Sequence, residues 1–411
     1  MTVDNRGDCF YFEGAPEPKV GKVFDPELNE SQVSLVETVR KACASFDDAY
    51  WTEHDQQHLF PDEFFARMAE IGIVGMLAQP EYEGGGATIE DAALALQEVA
   101  ASGAGINGCS AIHLSMFGFH PVVVHGSEDL KSRYLPRVAR GDIHVSFSVT
   151  EPDAGSDTGK ISTKATRTDG GYLLRGRKVW MTKGLQSTAA LVLARTTAIE
   201  ECARPIDGLT LFVADLDPAH VDIHAIPKMG RNAVASCDVL FDDLFVPEAN
   251  VVGEVGRGFR TILDGLNPER ILVASEAIGL GRAAIDRAVS YAQDRVVFDR
   301  QIGKNQGVQH PLADAYMQLR GAAAMVRTAA RQYDSGKPCA TEANTAKFLS
   351  SRAAFFAADR AVATHGGMGY AVEYQVERLF RESRLLRLAP VSEEQIMNYI
   401  AEHQLGLPRS Y

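Results

Sequence analysis

Several features that would announce a function at a glance are missing from this chain of 411 residues. No Cys-x-x-Cys pair occurs: Cys9, Cys43, Cys109, Cys202, Cys237 and Cys339 stand far apart. Such spacing excludes a zinc ribbon, a redox dithiol and a disulfide framework, and implies reduced thiols in a cytoplasmic protein. No stretch approaches the ~20 apolar residues needed to span a bilayer. Met1 to Pro18 carries Asp4, Asp8 and Glu13 with no apolar run, so neither a secretory signal nor an Arg-rich transit peptide is expected. Basic excess is absent too. The formal net charge of −13 excludes nucleic acid and anionic membranes as partners, and any anionic ligand would need a local basic patch. Internal repeats and low-complexity tails are also lacking.

What remains is an ordinary globular composition, 45% hydrophobic and 23% charged, in a chain long enough for two or three domains. Residues 1–28 are punctuated by Pro16, Pro18, Gly21 and Pro26 and read as an irregular extension. From 29 to 145 the pattern is helical. Asn29 suits an N-cap, Val36, Val39 and Cys43 recur at helical spacing, and Phe64, Phe65, Met68 and Ile71 run from Pro61 to a stop at Gly72. From 146 to 250 the period changes to two. Segments 161–168, 172–182, 190–194, 209–216, 221–226 and 239–246 read as strands, with Asp169-Gly170 as a hairpin turn. No helices alternate with them, so an antiparallel β domain is expected. From 251 to 411 the chain returns to long, Ala-rich helices, of which one is expected to begin near Glu269. The fold class is α+β, in the order α, β, α.

Gly279-x-Gly281-x-x-Ala284 mimics a dinucleotide fingerprint, but it lies inside a helix instead of following a strand. These glycines are read as close helix–helix packing.

Four stretches carry chemistry. The first runs from Phe147 through Val149-Thr150-Glu151-Pro152-Asp153-Ala154-Gly155-Ser156-Asp157. A β-prone run enters a turn rich in free N–H groups and hydroxyls, suited to phosphates and flavin carbonyls, although a surface turn would look the same. The second is Gly176-Arg177-Lys178-Val179-Trp180-Met181-Thr182, and the third Arg295 to Gln306, with Phe298-Asp299 and Gly303. The fourth is His365-Gly366-Gly367-Met368-Gly369-Tyr370. Together they resemble the signatures of the acyl-CoA dehydrogenase flavoproteins, over residues from about 30 to 400.

The resemblance implies an N-terminal α-helical domain, a middle antiparallel β domain and a C-terminal four-helix bundle, with FAD as cofactor. Phe147, Val149, Thr150, Gly155, Ser156, Trp180 and Thr182 would hold the flavin and its pyrophosphate, and Ser156 would also meet the CoA arm. Arg295, Phe298, Gln306, Gly366 and Gly367 would reach the FAD of a neighbouring subunit, implying a homo-oligomer, usually a dimer of dimers. Asp299 stands where the family has glycine, and Ala363 where it often has glutamine. His365 is read as a structural helix-end histidine.

The family reaction removes a proton α to a thioester carbonyl and passes a hydride from Cβ to the flavin. It needs a buried carboxylate base. The usual C-terminal position is occupied by Ala389, followed by Pro390, and the resemblance places Val391, Ser392 and Glu393 after it against the cofactor. Only the Ala389 N–H would remain there, to polarise the carbonyl. Leu266-Asn267-Pro268-Glu269-Arg270 resembles the isovaleryl-type and long-chain alternative, which makes Glu269 the expected base, with Glu393 and Glu394 in reserve. Taken alone, Glu269 would be a first-turn glutamate favoured by a helix dipole. Leu266 and Arg270 would line the substrate side. The expected product is a trans-2-enoyl-CoA, with electrons passing to an electron-transfer flavoprotein. An acyl-CoA oxidase, or a flavin-binding protein of the same fold without a competent base, is the alternative.

Overall fold

The structure, a computed structural model, describes residues 28–410. The irregular extension expected for residues 1–28 therefore lies outside the described residues, all but its last position.

Asn29 caps α1 (Glu30–Cys43) as expected: its side chain accepts from the Gln32 N–H while the Gln32 side chain returns to the Asn29 N–H. Val36, Val39 and Cys43 face inward. The helices α2 (Asp48–Gln57), α3 (Asp62–Glu70) and α4 (Ile89–Val99) follow. Phe64, Phe65 and Met68 are buried on α3, and the chain leaves it through Gly72 at φ 78°. α5 (Gly105–His113) is bounded by two π-helical turns, at Ala100–Ala104 and Leu114–Gly118. Then come α6 (His120–His125) and α7 (Glu128–Ala139).

The middle block holds β1 (His144–Ser148), β2 (Lys164–Thr168), β3 (Gly171–Thr182) and β4 (Ser187–Arg195). It continues with β5 (Leu209–Asp215), β6 (Val221–Ala225), β7 (Ser236–Pro247) and β8 (Val251–Val252). They form one sheet in the order β6-β7-β3-β2-β4-β5-β8, with β1 on β4. The sheet is largely antiparallel. Its exceptions are β1, which runs parallel to β4 along its whole length, and a single parallel pairing of β2 with β4.

The third block opens with α8 (Gly258–Asp294), followed by a two-stranded hairpin of β9 (Val296–Val297) and β10 (Arg300–Gln301). α9 (Gln306–Asp334), α10 (Ala340–His365) and α11 (Val376–Leu385) pack beside α8, and α12 (Glu393–His403) closes the described chain. The start of α8 differs from the sequence reading by a full three turns. Pro268 suits the first turn of a helix, yet it sits inside α8. It forfeits one hydrogen bond to the carbonyl of residue 264, and burial of the proline itself and of Ile262 in the same segment offsets that loss.

The packing role assigned to the two α8 glycines holds. A Cβ on Gly279 would stand 2.2 Å from the Gln97 carbonyl oxygen of α4, and one on Gly281 would stand 2.6 Å from the Leu319 side chain of α9. Because the obstacle at Gly279 is backbone, it cannot swing away. Gly279→Val is expected to destabilise the protein by about 2–4 kcal/mol, read as a lower denaturant midpoint at unchanged slope. A loss below about 0.5 kcal/mol would show that the two helices are not in tight contact there.

Candidate active site

The first two motif stretches meet at the top of the sheet. The Val179 N–H donates to the Thr150 carbonyl at 2.9 Å, and Ser146 Oγ donates to the Thr182 carbonyl at 2.9 Å. Between them lies a buried ion pair. Lys178 Nζ donates to Glu151 Oε1 and to the Val149 carbonyl, both at 2.8 Å. The other Glu151 oxygen accepts from the N–H and Oγ of Ser162, and Thr163 donates its N–H to Oε1. Burial works against ionisation of Glu151, but the Lys178 ammonium and these hydrogen bonds outweigh it and hold the carboxyl down at about 2. Thus the signature loop is pinned at its base while Gly155 and Ser156 stand at the open surface.

Strand alternation places Lys178 and Trp180 on one face. The register of β3 against β7 shifts between Lys178 and Met181, and Trp180 takes φ 66°. This bulge turns the indole outward, to 56% exposure, while Lys178 stays fully buried. An exposed tryptophan on a strained backbone, next to polar loops, makes a wall for a planar ring. Thr182 lies two residues on. Its hydroxyl accepts from Arg231 at 3.2 Å, and because guanidinium only donates, the hydroxyl proton is left for another partner.

Arg231 was not singled out in the sequence. It stands at φ 60° in the loop between β6 and β7, buried, with further bonds to Ser110 Oγ and Ser236 Oγ. Burial pushes its pKa down to about 10. The loop is tied across the molecule: Asn232 N–H donates to Asp55, Ala233 N–H to the Asn107 side chain, and Arg381 to the Met229 carbonyl. The run Lys228-Met229-Gly230-Arg231-Asn232, basic residues closely set about a glycine between two strands, was the available signal.

Glu269 lies in the interior of α8, one residue after Pro268, so no helix N-terminus stabilises its charge. The first-turn reading is thereby removed. Burial pushes its carboxyl up to about 7, against the pull of the Arg270 guanidinium and with a push from the Glu276 carboxylate. Arg270 bonds the Asn267 side chain at 2.9 Å, and its Nε, also buried, has no partner among the described residues. Leu266 is half-buried against the core under the sheet.

The C-terminal loop corrects two expectations. The Ala389 N–H is not free: it donates to the Leu385 carbonyl at 3.0 Å, closing the last turn after α11. It cannot serve a thioester carbonyl in this arrangement. Glu393 is no reserve base either. Burial would raise its pKa, but Arg387 at 2.7 Å and Arg352 at 3.3 Å hold it below the ordinary carboxylate value. Ser392 is the N-cap of α12, accepting from Gln395, and Glu394 is exposed in the first turn. The Val391 carbonyl accepts from Lys347, a buried lysine pushed down to about 8 by that burial.

The third and fourth stretches gather elsewhere. Phe298 and Asp299, at φ 51° and 60°, form the tip of the β9–β10 hairpin, a left-handed turn that aspartate adopts in place of glycine. Phe298 is 94% exposed. His365 ends α10 before Gly366, its Nδ1–H donating to the Ala361 carbonyl and its ring stacked on Tyr291 of α8, as the structural reading requires. Tyr370 beside it is 89% exposed. Arg295 and Gln306 are exposed on the same end, and Gly366 and Gly367 leave open space. This end stands about 38 Å along α8 from Glu269, at 1.5 Å per residue. One chain does not bring the two groups together.

For a flavin, the residues at the sheet end fit. Trp180 offers a face, Thr182 a hydroxyl, and the buried Ser148 Oγ has no partner among the described residues. Gly155 admits close approach.

The acyl-CoA dehydrogenase N-terminal, middle and C-terminal domain models match residues 29–142, 146–244 and 256–405. Acyl-CoA dehydrogenase FadE12 of Mycobacterium tuberculosis (strain ATCC 25618 / H37Rv) is 34% identical over 93% of this chain and 98% of its own. The mitochondrial short-chain specific acyl-CoA dehydrogenase of Rattus norvegicus is 30% identical over 93% and 92%. Glutaryl-CoA dehydrogenase in its glutaryl-CoA complex superposes with a TM-score of 0.87 at 27% identity, over 94% of this chain and 98% of that one. The chain belongs to the acyl-CoA dehydrogenase family, FAD-dependent oxidoreductases that act on acyl-CoA.

Proposed function

We propose that the protein oxidises the Cα–Cβ bond of an acyl-CoA to a trans-2-enoyl-CoA, with Glu269 taking the α-proton. The observation that carries this reading is a carboxyl poised at about 7 in the interior of α8, near its operating pH, while Ala389 and Glu393 offer no competing base. FAD held by Thr150, Ser156, Trp180 and Thr182 would supply the acceptor for the Cβ hydride. Lys178 and Glu151 keep the loop in place, and Arg231 orients the Thr182 hydroxyl.

The bare Phe298 and Tyr370 support a homo-oligomer in which each hairpin covers a neighbour's cofactor, with a dimer of dimers as the expected state. Among the described residues no helix is long and apolar enough to cross a membrane, and the cysteines are free, in keeping with work in the cytoplasm. An electron-transfer flavoprotein is the proposed electron acceptor.

Anaerobic titration of the purified flavoprotein with straight, branched and cyclic acyl-CoAs, following the oxidised flavin band, tests the reading. Bleaching by one class is expected and names it. A flavin-loaded protein that no acyl-CoA bleaches would overturn it.

A further inference from the structure

One buried charge at the site has no opposite charge in contact with it. The Arg231 guanidinium is surrounded by neutral hydroxyls instead: it donates to Ser236 Oγ at 2.5 Å, to Thr182 Oγ1 at 3.2 Å and to Ser110 Oγ at 3.3 Å. Its Nε, buried too, has no partner among the described residues. The charge is sustained from further off. Glu276, whose Oε1 lies 2.7 Å from Nδ1 of His113, and Glu382, which pairs with Arg378, both favour the charged form without bonding to it. A carboxylate in contact would cancel the field of the guanidinium at short range, and these leave it standing. For packing alone, an apolar side chain of similar volume would be cheaper.

The backbone is strained to put the charge there. Arg231 keeps φ 60°, a left-handed conformation that persists in an arginine only where the surroundings impose it. Lys228 Nζ holds its carbonyl at 2.5 Å, and Asp55 and Asn107 hold the next two N–H groups. What this places is a guanidinium behind the Thr182 hydroxyl. Thr182 is half-buried and stands two residues from the exposed Trp180 on β3, at most about 7 Å along the strand. A flat ring resting on the indole thus has an edge at Thr182. Because the guanidinium only donates, Thr182 Oγ1 accepts from it and keeps its own proton for that edge. A hydroxyl backed by a charge is the stronger donor.

Resting on the reading of Trp180 and Thr182 as flavin contacts, we propose that Arg231 is a positioning residue that raises the reduction potential of the bound flavin, acting through the Thr182 hydroxyl. Reduction adds electron density to the ring, so a charge-backed donor binds the reduced form more tightly than the oxidised one. The gain favours oxidation of the substrate, whichever acyl chain it carries.

The test measures the potential of the holoenzyme against a reference dye, with no acyl-CoA present, so its outcome is independent of which group is the base. Arg231→Met should weaken the preference for reduced over oxidised flavin about tenfold, a fall of about 30 mV for a two-electron couple. Arg231→Lys keeps the charge and should recover part of that fall. In a Thr182→Val background the same Arg231→Met change should have little effect, since the hydroxyl that carries it is gone. Should Arg231→Met fail to fold or to hold flavin, Arg231→Gln carries the comparison, because its amide donates without a charge. An unchanged potential in the uncharged variants would overturn the inference and leave dehydrogenation standing. An equal fall in both backgrounds would overturn it too, by taking the hydroxyl out of the route. A wild-type protein that binds no flavin would overturn the cofactor reading with it.

Discussion

With glutamine in place of Glu269 the protein folds and holds its flavin, and acyl-CoA reduces that flavin about 10³- to 10⁴-fold more slowly. The amide matches the carboxylate in shape but cannot take a proton. A second effect separates this from a general disturbance of the site. The Glu269 carboxyl is raised by burial from an ordinary 4.5 to about 7, so the fold favours its neutral form. Below about pH 4.5 the group is neutral folded or unfolded and costs nothing. As pH rises toward 7 the unfolded chain ionises first, and stability falls, levelling off beyond. Glu269→Gln should therefore exceed the wild type by about 1–3 kcal/mol at pH 8 and equal it near pH 4. Activity has the opposite sign, since the base must be ionised: wild-type flavin reduction should rise with pH through about 7. Stopped-flow reduction and denaturant melts across that range read both. Slowing of less than tenfold would place the base elsewhere.

How far this could be read from the sequence depended on the kind of interaction. Helices announced by period and caps, such as α1 with Asn29 and Gln32, were legible because each signal is local. The order of helical and β blocks followed from the change of period near residue 146. Features made by contact across the chain were not legible. Pro268 is a helix-start signal within its own segment, and only burial in the assembled core lets α8 run through it. Strand alternation put Lys178 and Trp180 together, and a bulge defined by β7 separated them.

The site divides in the same way. Thr150, Trp180 and Glu269 could be proposed because their motifs are compact in sequence. Arg231 reaches Thr182 and Ser110 from 49 and 121 residues away, and His113 meets Glu276 across 163. No periodicity encodes such pairs. The Ala389 N–H failed for a different reason: a backbone donor looks available in any sequence, and only the observed last turn of α11 shows that Leu385 already has it.

Breaking the pair beneath the signature loop should cost more than any change at its exposed rim. Glu151→Leu leaves the Lys178 ammonium fully buried opposite an apolar side chain, and a loss of about 3–5 kcal/mol is expected. Lys178 is already pushed down to about 8 by burial, with Glu151 supporting its charge. Without that support it would shed its proton near neutral pH. The double variant Glu151→Leu, Lys178→Met removes both charges and should recover much of the stability, because the penalty of the single variant is the stranded charge. It should not recover flavin. Three loop groups, the Val149 carbonyl and the Ser162 and Thr163 N–H groups, lose the partners that hold the turn open. The acid limb gives an independent reading. Glu151 is held near 2 against an ordinary 4.5, so its contribution is complete above about pH 4.5 and is lost as pH falls toward 2. Acid unfolding of the double variant should lack that component. A double variant that binds FAD as the wild type does would show that the pair serves the core alone and leaves the shape of the loop to other contacts.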